Sequence, residues 1–158
     1  MSGQMLDEID RAILHALQEN ARKNTNAAIS ERVSVSASTV GKRISRLEHT
    51  GVIDGYRPTL DYEAAGFPIH VLFICTAAIT EREALIRDTL ALDGVINVRE
   101  LMTGRGNVHV VAVGSSKDNI TGIAHELDRL GYTLTEEILL REEYDQPLAH
   151  FRTALSGG

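Results

Sequence analysis

Apolar residues in the first third of the chain recur at intervals of three and four, which is the spacing of one helix face. This pattern predicts a helix over 6–20, a two-turn helix around Ile29 and Val33, and a third helix over 36–50. Ser36 is a suitable N-cap for the third helix, and Gly51 is a stop residue after it. Three short helices therefore open the chain.

Beyond Gly51 the apolar pattern changes to a period of two. Residues 52–60, with a turn at 54–55, predict a strand or wing. After residue 68, strands and helices follow in the order βαββαβ, which is typical of the ferredoxin-like unit, a four-stranded antiparallel sheet with both helices on one face. The predicted elements cover 69–79, 81–92, 95–103, 107–113, 117–130 and 132–144, with a hairpin turn at 104–106.

The sequence therefore predicts an α+β protein, with an N-terminal winged helix-turn-helix and a C-terminal ferredoxin-like βαββαβ domain. Pro58, Pro68 and Pro147 all lie close to the boundaries of these segments, which supports the division. The predicted segments are a helical domain at 5–60, a linker at 61–68, a ferredoxin-like domain at 69–146 and a tail at 147–158, frayed at 156–158.

The first predicted strand, Ile69 to Ile79, is apolar on both of its faces. Two helices can cover only one face of a sheet, and a large apolar face left in water is unfavourable. We therefore expect a homodimer in which two sheets pack face to face about a two-fold axis.

The 158 residues carry a net charge of −6, but the charge is unevenly distributed. Residues 1–60 hold eight basic and seven acidic side chains, whereas the remainder holds eight and fifteen. Within the first part, residues 36–47 contain three cations and no acid, a small basic patch. The single cysteine, Cys75, fits a reducing compartment, and neither a membrane span nor a signal peptide is expected, so the pattern favours a cytoplasmic protein.

A short helix, a brief turn and a capped basic helix form the pattern of a helix-turn-helix, whose second helix enters the DNA major groove. Residues near the start of that helix reach base edges, so Ser38, Thr39 and Lys42 are candidates for base recognition, beside Ser36 at the cap. Arg43, Arg46 and Arg57 are candidates for phosphate contacts. Double-stranded DNA is the expected partner.

Several runs of residues closely resemble the Lrp/AsnC, or feast/famine, family of transcription regulators. They are 6–14 (LDEIDRAIL), the Val-Ser pair at 35–36, 40–48 (VGKRISRLE) and 51–56 (GVIDGY). The resemblance covers about 6–144, since the βαββαβ half is similar to the family's regulatory domain. It implies a DNA-binding N-terminal half, dimers that assemble into tetramers or octamers, and in many members an amino-acid effector.

The chain departs from the family pattern in two places. Ser34 stands where the family usually has a glycine, and Gly41 lies inside the third helix. At the hairpin turn, where members often carry an acid, an aromatic and an Asp, this chain differs in all three. The corresponding effector candidates here are Gly104, Arg105, Gly106 and Asn107, together with Thr135. An arginine beside turn amides suits an anion, so the expected effector is an anionic metabolite, unless the turn is simply hairpin geometry.

Two alternatives stay open at this stage. The chain also resembles the siroheme decarboxylases, enzymes of the same two-domain family, through His70, His109 and Arg105. The other alternative is a ligand-sensing partner that has lost DNA binding. No cofactor, metal site or catalytic set is expected, because no histidine pair shows metal-ligand spacing, and Cys75 is interpreted as a core residue.

Overall fold

The computed structural model describes residues 5–78, 80, 82–145 and 151. Residue contacts divide the described residues into two compact units, one formed by 5–58 with 144, 145 and 151 and the other by the described residues of 59–143. Apart from Phe151, the tail predicted at 147–158 lies outside the described residues, and so does its frayed end. No helix in the described ranges has the length and apolar character needed to cross a membrane.

The N-terminal unit contains three helices: α1 (Glu8–Asn20), α2 (Asn26–Val33) and α3 (Ala37–His49). Each begins at a side chain that accepts a hydrogen bond from the first helical turn, namely Asp7, Thr25 and Ser36. The predicted cap at Ser36 is therefore confirmed. The buried apolar core lies between the three helices and consists of Ala12, Ile13, Leu14, Ala16, Ile29, Val33, Val40 and Leu47.

The turn between α2 and α3 is made by Ser34, whose φ of 57° places it in the left-handed region. Its N–H donates to the carbonyl of Ser30 at 3.0 Å and so ends α2. Gly41 is explained by packing rather than by its backbone conformation. A Cβ added there would lie 3.0 Å from the side-chain amide of Asn26. The absence of a side chain at residue 41 lets α3 pack closely against the start of α2.

The prediction of a strand or wing at 52–60 is wrong, because the structure has no strand in these residues. Instead, Gly51 adopts a φ of 76° and the N–H of Ile53 donates to the carbonyl of Leu47 at 3.0 Å. These contacts fold the chain back on the end of α3, and Ile53 packs against the core. The described N-terminal unit offers this segment no strand to pair with, so its alternating pattern has no ladder to join.

The second unit has the predicted βαββαβ order. Its elements are β1 (Ile69–Thr76), α4 (Arg82–Leu90), β2 (Val95–Glu100), β3 (Val108–Gly114), α5 (Lys117–Leu130) and β4 (Thr133–Leu139). The strands form one antiparallel sheet in the order β2-β3-β1-β4. Apolar residues of both helices join a single core with one face of the sheet, so the ferredoxin-like fold is confirmed.

Three strands end earlier than the alternation predicted. Strand β1 stops at Thr76, β2 at Glu100 and β4 at Leu139 rather than at 79, 103 and 144. Strand β1 ends early because the side chain of Asn107 takes both backbone polar groups of Ala77, at 2.8 and 2.9 Å. The Asn107 side chain thus replaces the backbone hydrogen bonds that would have extended the pairing of β1 with β3.

Burial along β1 alternates. Val71, Phe73 and Cys75 face the helices and are buried, whereas Leu72 and Ile74 on the opposite face are only half-buried. The second face of the sheet in this chain is therefore incompletely covered.

Replacing Ser34 by glycine should stabilise the protein. A residue with a side chain in the left-handed region costs about 1 kcal/mol or more, which glycine avoids. We expect Ser34→Gly to raise the free energy of unfolding by about 1 kcal/mol in urea titrations. The matched change Ser45→Gly, in the middle of α3, should lower it by about 0.5 kcal/mol. Equal signs for the two variants would contradict this account of the turn.

Candidate DNA-binding helix

Helix α3 presents one continuous polar face to solvent. Ser38, Lys42, Ser45 and His49 lie at i, i+4, i+7 and i+11, and all four are exposed. The opposite side of the same helix carries Val40 and Leu47, which are completely buried. The helix is thus fixed by its apolar side and offers its polar side to a partner.

Two residues of this face, Ser45 and His49, were not assigned a base or phosphate contact. They lie one and two turns beyond Lys42, in line with Ser38. The sequence does contain the signal, because helical periodicity extended from Lys42 reaches both positions. The predicted base contacts came from the start of the helix.

The hydroxyl groups at the start of α3 are not equivalent. Ser36 Oγ accepts the N–H of Thr39 at 3.1 Å and also lies 2.8 Å from Thr39 Oγ1. It is 3.1 Å from Ser38 Oγ as well. Ser36 therefore caps the helix, Thr39 is half-buried against that cap, and Ser38 is the more exposed of the two predicted base-reading hydroxyls.

Arg43 and Arg46 have acidic partners within the N-terminal unit. Arg43 Nη1 lies 2.6 Å from Asp7 Oδ2 and 2.9 Å from Asp10 Oδ1. Arg46 Nη2 lies 2.7 Å from both carboxylate oxygens of Asp10. Asp10 is only 1% exposed, so its charge depends on these two cations.

The arginine–aspartate cluster changes the electrostatics of the helix. The hydrogen bond from Arg43 holds the pKa of the Asp7 carboxyl below its ordinary value, and Asp7 in turn raises the pKa of the Arg43 guanidinium. Both arginines were predicted to bind phosphate. In the structure they also form ion pairs that join α3 to Asp10 of α1. No local sequence pattern pairs them with Asp7 or Asp10, because the ion pairs span 33 or more residues.

Arg57 lies in the segment that follows α3 and is exposed. Its neighbour Tyr56 donates a hydrogen bond from its hydroxyl to Glu48 Oε1 at 2.8 Å. Partial burial and this carboxylate raise the pKa of Tyr56 to about 12, so the phenol stays protonated and can donate this bond at neutral pH and into the alkaline range. The Tyr56–Glu48 bond holds the chain next to Arg57 against the end of α3.

The predicted effector residues are dispersed. Asn107 is 2% exposed, and both groups of its side-chain amide are hydrogen-bonded to Ala77. The N–H of Gly106 donates to Thr76 Oγ1 at 2.9 Å. Gly104 and Arg105 are exposed in the loop, whereas Thr135 is on β4, across β1 from the hairpin strands. An anionic effector stays a prediction.

The residues proposed for the enzymatic alternative are also separated. His70 and His109 lie on adjacent strands, but His109 is opposite Ile74, four residues along β1 from His70. Four residues of strand span about 13 Å. Within one chain these histidines cannot act together on the same bond.

A two-helix DNA-recognition motif followed by a ferredoxin-like unit defines a class of prokaryotic regulators, and comparison with known proteins specifies it further. Residues 6–48 match the AsnC-type helix-turn-helix domain. LrpA, an HTH-type transcriptional regulator of Pyrococcus horikoshii, is 30% identical over 114 residues, which are 72% of this chain and 78% of LrpA. The chain belongs to the Lrp/AsnC family.

Other relatives match shorter segments. An uncharacterised HTH-type transcriptional regulator of P. horikoshii is 37% identical over 103 residues, which are 65% of this chain and 64% of that protein. The leucine-responsive regulatory protein of Rhizobium meliloti is 44% identical over 64 residues, 40% of each chain. The chain thus covers less than two thirds of the length of these relatives.

Solved structures share the complete fold. E. coli AsnC has a TM-score of 0.75 at 19% identity, covering 96% of this chain and 99% of its own. The transcriptional regulator NMB0573 of Neisseria meningitidis, solved as a complex with L-Met, has a TM-score of 0.79 at 24% identity, covering 94% of this chain and 100% of its own. At these identities the likeness concerns the fold.

Removing both cations from Asp10 should be far more damaging than removing one. We expect Arg43→Ala with Arg46→Ala to lower the free energy of unfolding by about 3 kcal/mol, because a buried carboxylate is left without a partner. Adding Asp10→Asn to this double variant should recover a large part of the loss. Urea titrations measure the free energies of unfolding of the two single arginine variants, the double variant and the triple variant.

The control is Glu19→Gln, which breaks the more exposed pair between Glu19 and Arg32 and should cost less than about 1 kcal/mol. Additive losses for the two arginine variants, with no recovery by Asp10→Asn, would contradict the shared buried charge.

Proposed function

We propose that the chain is a sequence-specific, DNA-binding transcriptional regulator that acts as a dimer or a larger assembly. The observation that carries this proposal is the exposed row Ser38, Lys42, Ser45 and His49 on a helix whose other side is buried in the core. Family membership supports it, since curated relatives such as LrpA are named transcriptional regulators. The proposed place of action is the compartment that holds the chromosome, the cytoplasm.

Within this proposal, α3 lies in the major groove and its polar face reads the DNA. Ser38 and Lys42 contact base edges, while Ser45 and His49 extend the contact surface along the helix. Thr39 supports the first turn from the cap. Arg57, which makes no described ion pair, contacts a phosphate beside the helix.

Arg43 and Arg46 contribute mainly by orientation. Their guanidinium groups hold the buried Asp10, so the angle between α1 and α3 depends on them. Arg46 remains 43% exposed and can contact a phosphate with its free nitrogens while it holds Asp10. A loss of DNA binding in an Arg43 variant would therefore not identify a phosphate contact.

Salt dependence separates a phosphate contact from a base contact. We expect Arg57→Ala to weaken binding to all DNA sequences and to reduce the slope of log K against log salt by about 1. Lys42→Ala should weaken binding to the selected site more than binding to random DNA. Ser38→Ala should keep the slope and reduce the preference for the selected site over random DNA. All three are measured by fluorescence anisotropy on fragments selected from genomic DNA.

Lys23→Ala is the matched control, because Lys23 is an exposed lysine in the turn between α1 and α2. It should change neither the affinity nor the slope. If Lys42→Ala behaves like Lys23→Ala, α3 is not the reading helix, and if the unmodified protein ignores DNA at low salt, the proposed function is wrong.

The dimer is proposed to form through the second face of the sheet. Leu72 is half-buried there and is paired with Ile138 of β4 and Val111 of β3. Face-to-face packing with a second sheet would complete the burial of Leu72, Val111 and Ile138. The dimer would then present two α3 helices, which fit two DNA half-sites about one turn apart. Tetramers and octamers are the proposed larger assemblies.

A charge on the second face should dissociate the dimer. In sedimentation velocity at micromolar concentration, we expect the unmodified protein to be dimeric or larger and Leu72→Glu to be monomeric, because a buried carboxylate without a partner is costly. The control, Leu139→Glu, changes a 71% exposed leucine that faces the other side of the same sheet. If Leu139→Glu dissociates the dimer and Leu72→Glu does not, the interface is on the opposite face of the sheet and the proposed interface is wrong.

A further inference from the structure

The second face of the sheet, which holds Leu72, also carries one arginine and one carboxylate. Directly opposed residues of antiparallel strands have their side chains on the same face, so the strand pairings show which residues share it. Among the strand residues that the structure describes on this face, Arg99 is the arginine and Glu136 is the carboxylate. Arg99 is on β2 and Glu136 is on β4, the two outer strands of the sheet.

These two charges lie in one row that crosses all four strands. Arg99 is paired with His109, His109 with Ile74, and Ile74 with Glu136. Three strand spacings, about 14 Å, separate the backbones at the two ends of the row. Within the described part of the chain Arg99 and Glu136 form no ion pair with each other.

Both charges are accessible to a partner. Glu136 is exposed and forms no ion pair with any described residue. Arg99 is 58% exposed, and its Nη2 lies 3.5 Å from Oε1 of Glu143, which is 49% exposed. An ion pair between two side chains as exposed as these contributes little, so the Arg99 guanidinium can accept a second carboxylate.

We propose that this face binds a second copy of the chain with Arg99 of each copy against Glu136 of the other. The inference rests on the proposed dimer and deepens it, because it specifies the direction in which the two sheets stack. A two-fold axis parallel to the strands, between β3 and β1, places β2 of one copy over β4 of the other. Each row then lies over the same row of the second copy, about 10 Å away, and one Arg99–Glu136 pair forms at each edge.

The other two-fold arrangement of stacked sheets has its axis across the strands. It places β2 over β2 and β4 over β4, so Arg99 never faces Glu136. If the row lies over itself, like charges meet across the interface, which is strongly unfavourable. If it lies over a different row, Glu136 loses water without gaining a cation, which is also costly. The charges therefore favour the axis parallel to the strands.

The apolar row at Leu72 and the two edge pairs have different effects on the dimer. The apolar row provides the burial, whereas charges at the rim of an interface fix its register and reject wrong partners more than they add affinity. A sheet of the same fold with an acid in place of Arg99 would meet Glu136 with a like charge. The surface is therefore selective for a second copy of this chain.

Charge reversal followed by mixing tests the pairing. In sedimentation experiments we expect Arg99→Glu and Glu136→Arg each to raise the dissociation constant of the dimer by about tenfold or more, because each variant brings two pairs of like charges together in its own dimer. An equimolar mixture of the two variants should associate nearly as tightly as the unmodified protein, since both pairs in the mixed dimer are again opposite in sign. A mixture that associates no better than its components would overturn the proposal.

Glu137→Arg is the matched control. Glu137 is the exposed neighbour of Glu136 on β4, but it is paired with Phe73 and so lies on the other face of the sheet. The same change of charge there should leave the dissociation constant unchanged, and mixing with Arg99→Glu should not restore tight association. Equal weakening by Glu137→Arg and Glu136→Arg would show an effect of net charge alone and would also overturn the pairing.

The experiment separates this inference from the proposed function. If the unmodified protein is monomeric, the proposed dimer is wrong and the ion pair fails with it. If Leu72→Glu dissociates the dimer and neither charge reversal weakens it, the dimer stands and only the pairing is wrong. DNA binding is not measured in any of these experiments, so the proposed regulator is tested independently.

Discussion

The N-terminal unit depends on one buried carboxylate. Asp10 is enclosed by the protein and is balanced by Arg43 and Arg46, which reach it from α3. Apolar packing fixes the distance between helices, but it is tolerant of small rotations, whereas a charge with two directional partners is not. The ion cluster therefore restricts the small rotations of α3 that apolar packing leaves open, and with them the direction of the row from Ser38 to His49.

This dependence explains which parts of the site could be predicted. The helical period, the cap at Ser36 and the stop at Gly51 are local signals, so α3 could be placed almost to the residue. Asp7 and Asp10 lie at the start of α1, where the helix dipole favours acids, and this too is a local pattern. Their pairing with Arg43 joins residues far apart in sequence, and no local pattern contains it.

The same distinction holds in the sheet unit. Alternation and breakers predicted the βαββαβ order, because each element is itself a local pattern. The ends of the strands depend on what lies beside them, as with Asn107 at the end of β1. The segment 52–60 alternates like a strand, yet a strand exists only where a second one pairs with it. Phe151 was assigned to a tail, yet it packs against the core of the helical unit, a contact that no neighbouring residue in the sequence indicates.

The amide nitrogen of Asn107 determines how the residue before β3 is bonded. Its amide nitrogen donates to the carbonyl of Ala77 and its amide oxygen accepts from the N–H of the same residue, so it imitates a neighbouring backbone. An aspartate at this position would have no N–H to donate to the Ala77 carbonyl, so it could make only one of the two bonds. The amide at residue 107 therefore ties the start of β3 to the end of β1 through both polar groups of a single residue.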